Sequence, residues 1–122
     1  MLKRSLLVLI LFLILPVFAS ELDSAFAKND NVFLYMYTPS CRYCKEFLPH
    51  YNSLSKKYGN QYEFVKVDAS TYNGNKLFRE YKGTYVPFVI LLNKKTNKER
   101  IIHPNCLFED ICTAKALKGF KS

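Results

Sequence analysis

Hydrophobic and polar positions divide the chain into an apolar N-terminal segment and a series of short periodic segments. Leu6 to Leu15 is an unbroken apolar run. Beyond residue 20, segments with helical spacing of apolar residues alternate with short apolar runs rich in β-branched and aromatic residues. The spacing predicts helices over 21–28, 42–58, 73–81 and 107–117, and strands over 32–37, 62–67, 88–92 and 99–103.

Local sequence features support several of these boundaries. Ser20 to Asp23 has the capping-box pattern that begins a helix, and Gly59 is a natural end for the second helix. Pro49 lies inside the second helix, where it removes a backbone hydrogen bond and should bend the helix. The last helix is expected to turn one apolar side inward, made of Leu107, Ile111, Ala114 and Leu117.

The order of the predicted elements is α-β-α-β-α-β-β-α. The first strands are separated by helices, whereas the last two are joined by the polar turn 93–98, which predicts a hairpin. The first strand is apolar on both faces, as a central strand covered on both sides should be. The fold class is therefore α/β, with a central mixed sheet of about four strands and helices on both faces.

The N-terminus has the layout of a secretory signal peptide. Lys3 and Arg4 precede the apolar run, and small residues ending at Ala19 follow it. We expect cleavage after Ala19, with a second small-residue site at Ala25–Ala27; the alternative is an uncleaved membrane anchor. Residues 1–19 are thus a signal peptide or anchor, and residues 20–122 form one domain in the periplasm or another extracytoplasmic space.

Charge and cysteine content narrow the function further. The formal net charge is +8, but the basic residues are scattered rather than interleaved with aromatic residues. We therefore expect no nucleic-acid partner, and at most a preference for anionic substrates or a membrane surface. The chain is expected to be a monomer. In an oxidising compartment, four cysteines in a short chain favour disulfides over a metal site.

The chemistry centres on Cys41-Arg42-Tyr43-Cys44, where a predicted strand turns into a predicted helix. This placement puts the first sulfur at a helix N-terminus, where backbone N–H groups and the helix dipole stabilise a thiolate. The thiolate is the reactive species in thiol–disulfide exchange. We expect Cys41 to be the exposed nucleophile and Cys44 to be the buried resolving cysteine, one helical turn further on.

With these residues in place, the chain resembles the thioredoxin family over nearly all of residues 21–119. Lys45 and Pro49 fall where thioredoxins carry a lysine and a kinking proline, and Tyr85-Val86-Pro87 resembles the family's cis-proline loop. The resemblance implies a thioredoxin fold, thiol–disulfide oxidoreductase activity and no cofactor. It also implies that Pro87 is cis and that the backbone of Val86 pairs with an extended substrate segment.

The implied partners are cysteine-containing exported proteins and a membrane thiol reductase or disulfide oxidase. The sequence leaves the direction of electron flow open. Arg42 and Tyr43 occupy the tuning positions between the cysteines, and the cation of Arg42 favours an oxidising protein. The small size of the chain instead resembles exported reductases.

Tyr35 stands where thioredoxins keep a buried aspartate, and Lys66 stands at the lysine that accompanies it. These two side chains could share proton transfer with Cys44. The favoured alternative is a tyrosine that fills core space and a lysine that reaches the surface along its stem.

Cys106 and Cys112 form a second candidate pair. Within one continuous helix their Cα atoms would be about 9 Å apart, which is too far for a disulfide. A bridge becomes feasible if Cys106 lies at the helix start or in the preceding turn, and we favour such a structural disulfide over free thiols. One less favoured alternative is a zinc site formed by the four cysteines, with or without His50 or His103. The other is a binding or chaperone module whose Cys41–Cys44 disulfide is purely structural.

Overall fold

The computed structural model describes residues 20–121 of the chain. The predicted signal peptide, residues 1–19, lies outside the described residues. The described elements, in chain order, are α1 (Glu21–Lys28), β1 (Asn31–Tyr37), α2 (Arg42–Tyr58), β2 (Glu63–Asp68), α3 (Tyr72–Glu80), β3 (Phe88–Asn93), β4 (Glu99–Ile102), α4 (Pro104–Leu107) and α5 (Asp110–Lys121).

The strands form one mixed sheet in the order β2-β1-β3-β4. Strand β1 is central, running parallel to β2 and antiparallel to β3. Strand β4 pairs antiparallel with β3, which completes the hairpin at the edge. The predicted four-stranded mixed sheet is confirmed.

Alternate residues of the central strands divide the core into two clusters, one on each face of the sheet. Phe33 and Tyr35 of β1 pack with α2 and α5, whereas Val32, Leu34 and Met36 pack with α1 and α3. Successive side chains of a strand point to opposite faces, so a strand that is apolar throughout needs helices on both sides. The predicted covering of both faces is confirmed.

The predicted cap of the first helix is also confirmed. The hydroxyl of Ser20 accepts a hydrogen bond from the backbone N–H of Asp23 at 3.2 Å, which satisfies one of the free donors at the start of α1. Thr71 caps α3 in the same way, accepting from the backbone N–H of Gly74 at 3.0 Å. Pro49 lies within α2 as predicted.

The prediction of one continuous last helix is wrong. Helix α4 ends at Leu107, and α5 begins only at Asp110. The hydroxyl of Thr113, which is fully buried, donates to the carbonyl oxygen of Cys106 at 2.9 Å and also contacts that of Glu109 at 3.3 Å. These contacts hold the interruption between the two helices.

One residue of the predicted inward side of the last helix does not face the core. Ile111, predicted to point inward, is 76% exposed. The other three predicted inward residues agree with the structure: Leu107 and Leu117 are buried, and Ala114 packs against the core. The buried residues of α5 itself are Thr113, Ala116, Leu117 and Phe120. Within residues 20–121, no helix combines the length and apolar character that crossing a membrane requires.

Candidate active site

The turn between β1 and α2 places Cys41 at the start of a helix. The backbone N–H of Cys41 donates to the carbonyl oxygen of Thr38 at 3.2 Å, which closes the turn. Cys41 itself has extended backbone angles and is the N-cap of α2. An N-cap side chain lies next to the unpaired N–H groups of the first helical turn. The sequence therefore folds so that a sulfur occupies a position normally held by an oxygen acceptor.

Cys41 and Cys44 form a disulfide, with their Cα atoms 5.2 Å apart. The backbone N–H of Cys44 points at the sulfur of Cys41, with N and Sγ 3.0 Å apart. Cys41 is half-buried, whereas Cys44 is only 4% exposed and belongs to the core cluster under α2. The two cysteines are thus unequal: Cys41 is partly exposed at a helix N-terminus, and Cys44 is enclosed in the core.

The loop before β3 lies on the same side of the molecule. Met36 near the end of β1 pairs with Phe88 at the start of β3, so residues preceding Phe88 lie beside those that follow β1. The Val86–Pro87 peptide bond is cis. Val86 and Cys41 are both half-buried and pack against the same core cluster. The structure therefore places the Val86–Pro87 loop next to the residues that follow β1, at the end of the sheet where Cys41 lies.

Tyr35 lies beneath the pair and is 1% exposed. Its hydroxyl donates a hydrogen bond to the carbonyl oxygen of Cys44 at 3.1 Å. Burial, with smaller contributions from Tyr37 and Tyr51, raises the pKa of Tyr35 to about 12. The Tyr35 hydroxyl therefore stays protonated at neutral pH and donates that proton in the hydrogen bond to the Cys44 carbonyl oxygen.

Lys66 lies beside Tyr35, because these two residues are register partners in β1 and β2. Its ammonium group lies over the ring of Tyr37, 5.3 Å from the ring centroid, and the side chain is exposed. Lys66 and Cys44 line the same cleft of about 180 Å³, whose lining residues are Tyr35, Tyr37, Thr38, Pro39, Cys44, Lys45, Leu48 and Lys66. In the sequence, Lys45 is distinguished only by its position after Cys44. It lies in the same cleft as Lys66 because of how β1 pairs with β2, which the sequence pattern does not show. A larger open cleft of about 660 Å³ between the starts of α1 and α3 contains no cysteine.

The two residues between the cysteines are both exposed. Arg42 pairs with Glu46 one turn later on α2, with Nε and Oε1 3.4 Å apart. Tyr43 is 63% exposed and therefore available for contact with another molecule.

Cys106 and Cys112 form a second disulfide, with their Cα atoms 5.3 Å apart. In one continuous helix these Cα atoms would be about 9 Å apart, which is too far for a disulfide. The break between α4 and α5 brings them within bonding distance. With Cys41 bonded to Cys44 as well, the four cysteines do not come together as the alternative zinc set, and residues 20–121 contain no group of three or more His, Cys, Asp or Glu side chains suited to a metal.

The two histidines named in that alternative have other contacts. His103 is the N-cap of α4, and its Nδ1 accepts from the backbone N–H of Asn105 at 3.2 Å. His50 is half-buried, with its Nδ1 3.1 Å from a carboxylate oxygen of Asp110. The ring of Phe108 lies edge-on to His50 and to Phe47, so this residue ties the α4–α5 junction to α2. The sequence analysis did not identify Thr113 and Phe108, because a continuous last helix gives neither residue a special position. Their importance comes from the contacts that they make at the α4–α5 junction.

Comparison with known proteins agrees with this geometry. Residues 14–107 match the Thioredoxin family, which is more than half of the chain. A comparison with curated proteins gave no significant match.

Solved structures with the same fold include several thioredoxins. The germline-specific thioredoxin Deadhead of Drosophila melanogaster is 24% identical, with a TM-score of 0.63 over 75% of this chain and 84% of that one. The oxidised thioredoxin of Plasmodium falciparum is 20% identical, with a TM-score of 0.65 over 85% and 93% of the two chains. The first thioredoxin domain of mouse protein disulfide-isomerase A4 is 18% identical, with a TM-score of 0.68 over 83% and 70%. The chain belongs to the thioredoxin family and is a thiol–disulfide oxidoreductase that carries the Cys41–Cys44 redox disulfide.

Proposed function

We propose that the protein is exported and exchanges disulfides with cysteines of other exported proteins. The observation that carries this proposal is the inequality of the two sulfurs. Cys41 is partly exposed and its sulfur accepts a hydrogen bond from the Cys44 N–H, whereas Cys44 is buried. A sulfur that is accessible and stabilised as a thiolate is the one that attacks, and an enclosed neighbour is suited to resolving the intermediate.

In the reducing direction, the Cys41 thiolate attacks a substrate disulfide, and one substrate sulfur leaves as a thiolate. The mixed disulfide that forms joins Cys41 to the substrate. Cys44 then loses its proton and attacks the sulfur of Cys41, which releases the second substrate thiolate and closes the Cys41–Cys44 bond. The oxidising direction runs through the same intermediate in reverse.

Val86 and Pro87 are proposed to hold the substrate during this exchange. This proposal is supported by the β1–β3 register, in which the residues before Phe88 lie beside those that follow β1, and by the ability of an extended segment to pair with a free backbone, as in strand addition. Arg42 and Tyr43 are proposed to tune the pair: the cation favours the thiolate, and the exposed ring offers a contact surface.

Tyr35 is proposed to be a positioning residue rather than the proton acceptor. Its hydroxyl is already a donor to the Cys44 carbonyl oxygen, and a phenol with a pKa of about 12 is not a base at neutral pH. Lys66 lines the cleft that reaches Cys44, so proton exchange with Cys44 is proposed to run through that cleft.

Export is supported by the signal-like residues 1–19 and by the second disulfide, which is typical of oxidising compartments. The proposed location is the periplasm or another extracytoplasmic space, either free or held by an uncleaved N-terminus. A membrane thiol reductase or disulfide oxidase would renew the pair. Cell fractionation with mass analysis of the mature protein tests this: we expect an N-terminus at Ser20, and a cytoplasmic chain that retains Met1 would contradict export.

Activity is tested by following disulfide reduction in insulin, with dithiothreitol as the electron source. We expect turnover by the wild type and by Cys106→Ser/Cys112→Ser, but none above background by Cys41→Ser. The double variant is the control, because it removes the other disulfide and leaves the proposed site intact. Equal turnover by Cys41→Ser and wild type would instead support a binding module whose disulfides are structural.

A further inference from the structure

The junction between α4 and α5 contacts the helix that carries the cysteine pair. Phe108 lies in this junction and is half-buried. Its ring is edge-on to Phe47, with the ring centroids 6.0 Å apart, and edge-on to His50 at 5.7 Å. Asp110, at the start of α5, reaches the same histidine, with a carboxylate oxygen 3.1 Å from Nδ1. Two side chains of the junction therefore hold one segment of α2.

That segment adjoins the first turn of α2. Phe47 follows Cys44 by three residues, so the two side chains are neighbours on one face of the helix. Phe47 is fully buried, and its ring also meets the ring of Tyr35 edge-on, with centroids 5.0 Å apart. Because protein cores are close-packed, a ring held by aromatic neighbours on separate elements fixes the helix that carries it. Phe108 is thus one of the side chains that set where α2 begins.

The first turn of α2 sets the surroundings of the Cys41 sulfur. The backbone N–H of Cys44 points at that sulfur, with N and Sγ 3.0 Å apart. The backbone N–H of Lys45 donates to the carbonyl oxygen of Cys41 at 3.3 Å, which begins the helix. A hydrogen bond to the charged form of a group favours that form, so the Cys44 N–H stabilises a thiolate at Cys41. Its strength depends on the placement of this turn.

The second disulfide holds Phe108 in the junction. Cys106–Cys112 closes a short loop that contains Phe108. The buried hydroxyl of Thr113 donates to the carbonyl oxygen of Cys106 at 2.9 Å, within the same junction. Cross-linking a short loop removes most of its alternative conformations. The bridge therefore restricts where the Phe108 ring can lie.

We propose that Phe108 is a positioning residue for disulfide exchange. Held by the Cys106–Cys112 bridge, it fixes Phe47 and, through the start of α2, the hydrogen bond from the Cys44 N–H to the Cys41 sulfur. The inference rests on the proposed exchange function and extends it to the α4–α5 junction. Phe108 acts on the reactivity of Cys41 through α2, so its loss should change the acidity of the Cys41 thiol and not only the stability of the fold.

The test is the pH dependence of the alkylation of Cys41 by iodoacetamide. The parent protein is Cys44→Ser, which leaves Cys41 as a free thiol while Cys106–Cys112 stays oxidised. Only the thiolate reacts, so the midpoint of the rate against pH reports the pKa of Cys41. Phe108→Leu is added to this parent, because leucine keeps the site apolar without the ring. Cys106→Ser/Cys112→Ser is added separately.

The matched control is Phe64→Leu in the same parent. Phe64 is half-buried at the edge of the same core cluster as Phe108. Its ring packs on Phe33 and on Tyr51, which lies beyond the first turns of α2. The melting temperature of every variant is measured alongside, so that a general loss of stability can be separated from an effect on Cys41.

We expect Phe108→Leu to raise the midpoint by about half a pH unit, which slows alkylation about threefold below the midpoint. A hydrogen bond to a charged group is worth about one to two pH units, and here it is weakened rather than lost. Cys106→Ser/Cys112→Ser should raise the midpoint in the same direction; in the wild-type background it should slow insulin turnover without abolishing it. Phe64→Leu should lower the melting temperature and leave the midpoint unchanged.

An unchanged midpoint in either Phe108→Leu or Cys106→Ser/Cys112→Ser would overturn the inference. An equal rise in Phe64→Leu would also overturn it, because any loss of core packing would then have the same effect. If the Cys44→Ser parent forms no mixed disulfide with a disulfide-containing polypeptide, the proposed exchange function itself fails.

Discussion

Replacing Cys106 and Cys112 together with serine should lower the free energy of unfolding by about 2 kcal/mol. The disulfide joins residues six apart in sequence. Closing a loop of about seven residues removes about 2.3 kcal/mol of chain entropy from the unfolded state at 25 °C. For a domain of about 100 residues, that change lowers Tm by about 11 °C.

The assay is urea unfolding of the oxidised proteins at pH 7, followed by circular dichroism. Dithiothreitol supplies an internal control, because it opens both disulfides in the wild type and in the double variant. The difference between the two proteins should then fall to about 0.5 kcal/mol or less, the size of an ordinary surface substitution.

Two results would refute this reasoning. One is a difference below about 0.5 kcal/mol between the oxidised proteins, which would mean that the α4–α5 junction is held without the bridge. The other is a difference of the same size with and without dithiothreitol. In that case the loss would come from the serine side chains or from the packing of Phe108, not from the disulfide.

Three further predictions concern the core. Tyr35→Phe should lower the free energy of unfolding by about 1 kcal/mol, because it removes one buried hydrogen bond. It should leave the pH profile of disulfide exchange unchanged. A large loss of exchange rate at neutral pH would instead identify the phenol as the proton acceptor. Burial raises the pKa of Tyr35 and Tyr51 to about 12 and also raises that of Tyr62. The contribution of these three protonated phenols to the free energy of unfolding should therefore be complete below about pH 10, the usual tyrosine pKa, and should be lost as pH rises toward 12. Equal urea midpoints at pH 8 and pH 11 would contradict this. Gly74→Ala should destabilise strongly in thermal unfolding, because the new Cβ meets the backbone carbonyl of Asp68, whereas Gly119→Ala should have little effect because its Cβ would meet only the end of the Arg100 side chain.

Much of the fold followed from periodicity alone. The apolar run of β1 predicted a central strand, and the polar turn 93–98 predicted the edge hairpin. The last helix was mispredicted because Leu107, Ile111, Ala114 and Leu117 have uninterrupted helical spacing. The break between α4 and α5 depends instead on the Thr113 hydroxyl and on a disulfide, which are tertiary contacts that a local pattern does not record.

The candidate site likewise has a part that the sequence predicted and a part that depends on tertiary contacts. Cys41 and Cys44 were identifiable from a local motif at a strand–helix junction. The contact between Tyr35 and the Cys44 carbonyl oxygen, and the cleft shared by Lys45 and Lys66, arise from how β1 pairs with β2 and packs under α2. The sequence identified most of these residues as candidates. Their hydrogen bonds and shared cleft could be found only from the folded sheet and the helix packed on it.

The central claim is that Cys41 attacks the substrate sulfur and that Cys44 resolves the intermediate. Incubating Cys44→Ser with a disulfide-containing polypeptide, followed by non-reducing electrophoresis and mass spectrometry, tests it most directly. The predicted result is a covalent complex through Cys41 that dithiothreitol releases, with no such complex for Cys41→Ser. Trapping by Cys41→Ser but not by Cys44→Ser would reverse the roles, and trapping by neither variant would contradict the exchange mechanism.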